Sequence, residues 1–103
     1  MELQTLTKHV LYIGLNDKDS KVQEITTDKA KEIISETFGD CTISDALGVY
    51  THEDGTKVKE KSLRVELLFK ADKEVIANVQ KIKKLLNQET IGFEVQKVNS
   101  TLI

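Results

Sequence analysis

Two histidines and one cysteine are the side chains in this sequence best suited to metal binding or nucleophilic attack: His9, Cys41 and His52. They lie on different predicted elements and lack the CxxC or HxxxH spacing of metal ligands, so no metal site is predicted. His9, near the start of a strand, and His52, at a hairpin, are interpreted as polar residues facing water. Cys41 precedes an apolar strand, which favours a small, partly buried side chain over an activated nucleophile.

Asp45 is the polar residue expected on the core side of a strand, between Ile43 and Leu47. A buried carboxylate without a partner would have a raised pKa and would be a candidate for function. Pairing with Lys61 on the next strand would instead make it structural, and this is the favoured interpretation. No catalytic residue is therefore assigned.

The sequence gives little support for binding of phosphate groups or of nucleic acids. The five glycines form neither a GxGxxG nor a GxxxxGK[ST] pattern, so no phosphate loop and no cofactor are predicted. Lys57, Lys59 and Lys61 alternate along a hairpin and could follow a phosphate backbone, but a solvated row that protects a sheet edge is favoured. The formal charge of −2 and the pI near 5.7 give no attraction to nucleic acid or to a membrane, and neither partner is expected.

The apolar pattern predicts the elements that position these residues: strand, helix, strand, strand, helix, strand. This order is that of an α+β, ferredoxin-like βαββαβ sandwich, with two helices on one face of a four-stranded antiparallel sheet. With 103 residues, 39% of them hydrophobic, one domain over residues 1–103 is expected. The strands are predicted at about 6–15, 42–51, 56–70 and 91–98.

Capping residues mark the two helices. The first is predicted to start at Thr26 or Thr27 and to stop at Gly39. Asp72 is predicted to cap the second helix. The polar segment before the first helix has no periodicity, which indicates a mobile loop in a position where function is often found.

A hairpin with Gly55 at positive φ is predicted to join the second and third strands. In the bulged form of this turn, Tyr50 pairs with Val58, Gly48 with Glu60 and Ser44 with Arg64. A two-residue turn would shift the register by one and exchange the faces of one strand. The bulged form is preferred because it keeps the more apolar sides of both strands together.

The helices leave one face of the sheet uncovered, and this open face is more apolar than a face that only meets water. Five of its residues are expected to form a contact surface: Val10, Tyr12, Tyr50, Arg64 and Leu68. Tyr12, Tyr50 and Arg64, if close together, would also make a pocket for a planar or anionic ligand.

Short motifs in the sequence resemble a small bacterial family of unknown function. They are Leu11-Tyr12-Ile13-Gly14-Leu15 in the first strand, Asp45-Ala46-Leu47-Gly48-Val49-Tyr50 in the second, and Glu60-Lys61-Ser62 after the Gly55 hairpin. The chain departs from that family at the end of the first helix, where the family tends to carry a Phe-Pro-x-Gly turn. The resemblance implies a ferredoxin-like domain without an established activity, and it carries over no catalytic residue.

These observations favour a non-enzymatic protein-interaction or self-association module that uses the open face, with a second copy in a homodimer or an unidentified protein as partner. The alternative is a small dimeric α+β barrel enzyme or ligand sensor with a pocket between facing sheets. A pocket containing Asp45, Tyr12 or Arg64 would favour the alternative. A single cysteine, the absence of a signal sequence and the absence of a long apolar run lead us to expect a cytoplasmic protein.

Overall fold

A computed structural model describes residues 2–51 and 53–103, which leaves the predicted position of His52 outside the described residues. The elements are β1 (Gln4–Gly14), α1 (Thr27–Phe38), β2 (Thr42–Thr51), β3 (Lys57–Leu67), α2 (Asp72–Leu85) and β4 (Gly92–Ser100). The strands form one antiparallel sheet in the order β2-β3-β1-β4. The ferredoxin-like βαββαβ fold predicted from the apolar pattern is confirmed.

Both helices cover the same side of this sheet. Leu11, Ile13, Leu63 and Val65 point from the two central strands toward the helices and are completely buried. The buried residues that the helices and the C-cap of α2 add to the same core are Ala30, Ile34, Phe38, Val75, Ile82 and Leu86. Alternate positions along β1 and β3 therefore face the core, as the period of two in a strand requires. Across the described residues, neither helix is both long and apolar enough to cross a bilayer.

Local chemistry fixes the ends of α1. The hydroxyl of Thr26 accepts a hydrogen bond from the backbone N–H of Lys29 at 3.1 Å, as an N-cap residue does. Gly39 ends the helix with φ of 75°, a conformation that costs glycine little because it has no Cβ. Both predicted boundaries are confirmed.

The start of α2 differs from the prediction. Ala71 occupies the N-cap position without a side-chain hydrogen bond. The Asp72 carboxylate lies instead 2.6 Å from Nε2 of His9, and the His9 ring stacks on Phe93 with the ring centroids 5.9 Å apart. His9 is completely buried, so the expectation that it faces water is wrong. His9 lies on the same side of β1 as Leu11, and the helices cover that side of the sheet.

The register of the β2–β3 hairpin agrees with the bulged form. Gly55 has φ of 88°, and the cross-strand pairs include Tyr50 with Val58, Gly48 with Glu60 and Ser44 with Arg64. Pairing between β1 and β3 ends at Gly14 and Ser62. The hairpin therefore projects beyond β1.

Candidate functional site

The open face carries the residues expected there, but they do not form one continuous surface. Val10 is completely buried, because it lies in a central strand between Glu66 and Glu94. The expectation that Val10 makes contacts with a partner is therefore wrong. Tyr12 and Tyr50 are about 40% exposed, at 41% and 43%, and both line one pocket.

Arg64 belongs to a charged network beside Tyr12. Its guanidinium Nε lies 3.5 Å from the Tyr12 hydroxyl, and its Nη1 pairs with the Glu66 carboxylate. Glu66 also pairs with Lys8 at 2.9 Å. The pKa of the Glu66 carboxyl is lowered, mainly by the hydrogen bond from Lys8 and next by the one from Arg64. The pKa of Arg64 is raised, mainly by its hydrogen bond to Tyr12 and next by the one to Glu66. Arg64 is thus held by neighbours and does not line the pocket beside Tyr12.

Asp45 is not a buried carboxylate. Its side chain is 71% exposed and pairs with Lys31 of α1 at 2.8 Å, rather than with Lys61. The predicted strand side is confirmed, since Asp45 pairs with the core residue Leu63. However, β2 is an edge strand of the sheet, and the Asp45 side chain on this strand remains exposed to water. Exposed ion pairs of this kind contribute little to stability.

An open pocket of about 590 Å³ lies at the end of the open face where β1 leaves the sheet. Tyr12 and Tyr50 form parts of its wall, together with Gly14 and Gly92. The volume falls within the range of about 300 to 1,000 Å³ that is typical of small-molecule sites.

Glu60 is a carboxylate residue on the sheet that lines this pocket. Its Oε2 accepts a hydrogen bond from the backbone N–H of Asn16 at 3.0 Å. Its carboxyl group lies directly over Gly14, where a Cβ atom would come within 2.5 Å of Oε1. Glu60 lines the pocket, and its Oε1 has no hydrogen-bond partner among the described residues. Glu60 is therefore an oriented acceptor with one oxygen left for a ligand.

Two loops form the rim of the pocket and bind each other. The Asn87 side-chain amide donates to Asp17 Oδ2 at 2.8 Å, and the buried Gln88 amide donates to the Asn16 carbonyl at 2.8 Å. The pKa of Asp17 is lowered, mainly by the hydrogen bond from Asn87 and to a smaller extent by those from the N–H groups of Ser20 and Asp19. The segment predicted as a mobile loop is thus held by hydrogen bonds to the end of α2.

Leu68 lies far from this pocket. It lines a separate depression of about 370 Å³ together with Cys41 and Phe69. Burial raises the pKa of the Cys41 thiol, and Asp40 adds to this effect, so the reactive thiolate is disfavoured. The partly buried position agrees with the prediction for Cys41. Within residues 2–51 and 53–103, no group of three or more metal-ligating side chains occurs.

Comparisons with known proteins show the fold. No protein-family model matches the chain, and no match is found among curated proteins. A phage SAM lyase in complex with S-methyl-5'-thioadenosine superposes with a TM-score of 0.62 at 22% identity, over 89% of this chain and 81% of that one. CutA from Synechococcus elongatus has a TM-score of 0.60 at 10% identity, over 96% and 81%. The GlnK–ATP complex of B. subtilis has a TM-score of 0.56 at 11% identity, over 91% and 83%.

Proposed function

We propose that this domain binds a small molecule containing an adenine nucleoside in the pocket beside Glu60. The observation that carries the proposal is the oriented carboxylate: Glu60 lines the pocket, and its Oε2 accepts a hydrogen bond from the Asn16 N–H. Two neighbours of the same fold are described with adenosine compounds, the phage SAM lyase with S-methyl-5'-thioadenosine and GlnK with ATP. These ligands support the choice of nucleoside as the ligand class.

The pocket offers the two kinds of contact that a nucleoside needs. The rings of Tyr12 and Tyr50 are both partly exposed on its wall and provide flat surfaces on which a purine can stack. A ribose diol supplies two O–H donors, and an ionised carboxylate is a strong acceptor for them. Glu60 is therefore assigned to the ribose, and the tyrosines to the base.

Isothermal titration of the protein with S-methyl-5'-thioadenosine, with adenosine and with guanosine tests this proposal. We expect the two adenosine compounds to bind, and Glu60→Gln to weaken that binding by about 10-fold to 100-fold, because a hydrogen bond to a charged group is worth roughly 1.5 to 3 kcal/mol. The matched control is Glu94→Gln, a glutamate exposed on the same face but outside the pocket.

The control variant should bind like the unchanged protein. Absence of binding by both adenosine compounds, or equal affinity in Glu60→Gln and Glu94→Gln, would contradict the proposal. Incubation with S-adenosylmethionine, followed by chromatography for S-methyl-5'-thioadenosine, adds a readout for turnover and distinguishes an enzyme from a binding module.

Self-association through the open face is the second candidate function, with another copy of the chain or an unidentified protein as partner. It is favoured by Tyr12 and Tyr50, which are 41% and 43% exposed on the open face. Patches of this kind often mark interfaces. Two open faces packed together would also close the pocket beside Tyr12.

Light scattering tests self-association directly. We expect a solution mass at least twice the 11.6 kDa of the chain, and a fall toward the monomer mass in Tyr12→Glu, because a charge buried without a partner opposes association. Ile76→Glu is the control, since Ile76 is similarly exposed on a helix. A monomer in the unchanged protein, or equal masses in both variants, contradicts this candidate function.

A further inference from the structure

A second depression of about 400 Å³ lies next to the pocket beside Glu60, at its rim. This depression is lined by six polar residues: Lys18, Asp19, Lys21, Lys83, Gln88 and Glu89. Lys18, Lys21, Gln88 and Glu89 also line the first pocket. The two volumes are therefore adjacent and share these four residues in their walls.

The rim carries charges of both signs. Lys18, Lys21 and Lys83 contribute ammonium groups, while Asp19 and Glu89 contribute carboxylates. Of these groups, Asp19 accepts a hydrogen bond from the Asn87 amide at 2.9 Å. Within the part of the chain that the structure describes, no ion pair or side-chain hydrogen bond engages the three ammonium groups or the Glu89 carboxylate. These charges remain available to a ligand.

The backbone that carries the lysines is fixed. The N–H of Lys18 donates to the Asn87 carbonyl at 3.0 Å, and the N–H of Lys21 donates to the Asp17 carbonyl at 2.9 Å. Lys21 has φ of 66°, a left-handed conformation that costs energy for a residue with a Cβ. Such conformations often occur where a ligand is held.

We propose that this rim binds a zwitterionic α-amino acid group joined to the 5' position of the adenosine, an inference that rests on the proposed function. Lys18 and Lys21 would pair with the carboxylate of that group, and Glu89 with its ammonium. A polyphosphate would pair with the lysines but would meet repulsion from Glu60 and Glu89. An adenosine without a charged substituent would leave both signs of charge on the rim unused.

Titration with three related compounds tests the zwitterionic subsite. S-adenosylhomocysteine carries the amino acid group, S-methyl-5'-thioadenosine lacks it, and ATP replaces it with phosphates. We expect S-adenosylhomocysteine to bind at least about 10-fold more tightly than the other two, the effect of one or two charge-assisted hydrogen bonds. In the double variant Lys18→Glu, Lys21→Glu, this advantage of S-adenosylhomocysteine over S-methyl-5'-thioadenosine should disappear.

Lys81→Glu, an exposed lysine on α2 outside both volumes, is the control and should keep the advantage. Equal binding of S-adenosylhomocysteine and S-methyl-5'-thioadenosine, or tighter binding of ATP, would overturn the zwitterionic subsite and leave the nucleoside site standing. Failure of all three compounds to bind would overturn the proposed function together with this inference.

Discussion

Replacement of His9 by alanine is expected to lower the free energy of unfolding by about 3 kcal/mol, within the range for removing a large buried side chain. The ring is completely buried, stacks on Phe93 and bonds to Asp72 at the start of α2. Alanine would leave a cavity between the sheet and the helix and would remove this link. Urea denaturation followed by circular dichroism measures the change.

Two further variants separate the hydrogen bond from the packing of the ring. Asp72→Ala should cost about 1 to 3 kcal/mol, because it leaves a buried histidine nitrogen without its partner. Glu74→Ala, also an acidic residue in the first turn of α2, removes the same charge from the helix terminus and should cost less than about 1 kcal/mol. Similar losses in the two variants, or a loss below 1 kcal/mol in His9→Ala, would contradict the role given to His9.

Gly14→Ala is expected to weaken binding of S-methyl-5'-thioadenosine by about 10-fold or more, the value of a charge-assisted hydrogen bond. The new Cβ would lie 2.5 Å from Oε1 of Glu60, so the carboxylate must leave its bond to the Asn16 N–H. The fold should tolerate the change, because the atom in collision is the end of a flexible side chain. Calorimetric titration gives the affinity, and thermal unfolding gives the stability.

Gly48→Ala is the matched control for this prediction. Gly48 also lies beside Glu60 on the open face, but its Cβ would meet the Ser62 hydroxyl at 3.0 Å and would stay 3.7 Å from Cγ of Glu60. The Glu60 carboxylate should therefore keep its position. If the two variants bind equally well, Glu60 does not act as an oriented acceptor.

The parts of the fold that depend on local chemistry could be predicted from the sequence. The hydroxyl of Thr26 and the freedom of Gly39 set the ends of α1, and Gly55 together with the apolar alternation gave the correct pairing of Tyr50 with Val58. Each of these features depends on residues close in sequence or on a period of two.

Contacts between distant parts of the chain could not be predicted in this way. His9 and Asp72 are separated by 63 positions, and a histidine at the start of a strand gives no local sign of burial. The burial of Val10 could not be predicted either, because it depends on neighbours in two other strands. Asp45 has the expected strand side but an exposed position, because the helices do not cover the edge of the sheet.

Glu60 is the site residue that the sequence analysis missed. A glutamate at an open-face position of a strand resembles an ordinary surface residue. The available signal was the pair of glycines, Gly14 and Gly48, which leave space for its side chain on the same face. Tyr12 and Tyr50 line the pocket without Arg64, and their role in binding stays a prediction, as does the resemblance to a bacterial family through their motifs.

An NMR titration of ¹⁵N-labelled protein with S-methyl-5'-thioadenosine tests the location of the nucleoside site most directly. We expect the largest amide shifts at Gly14, Asn16 and Gly92, because these residues line the pocket and the Asn16 N–H donates to Glu60. A nucleoside site beside Glu60 is contradicted if saturating ligand leaves these amides unchanged, or if the shifts cluster instead around Cys41 and Phe69 in the other depression.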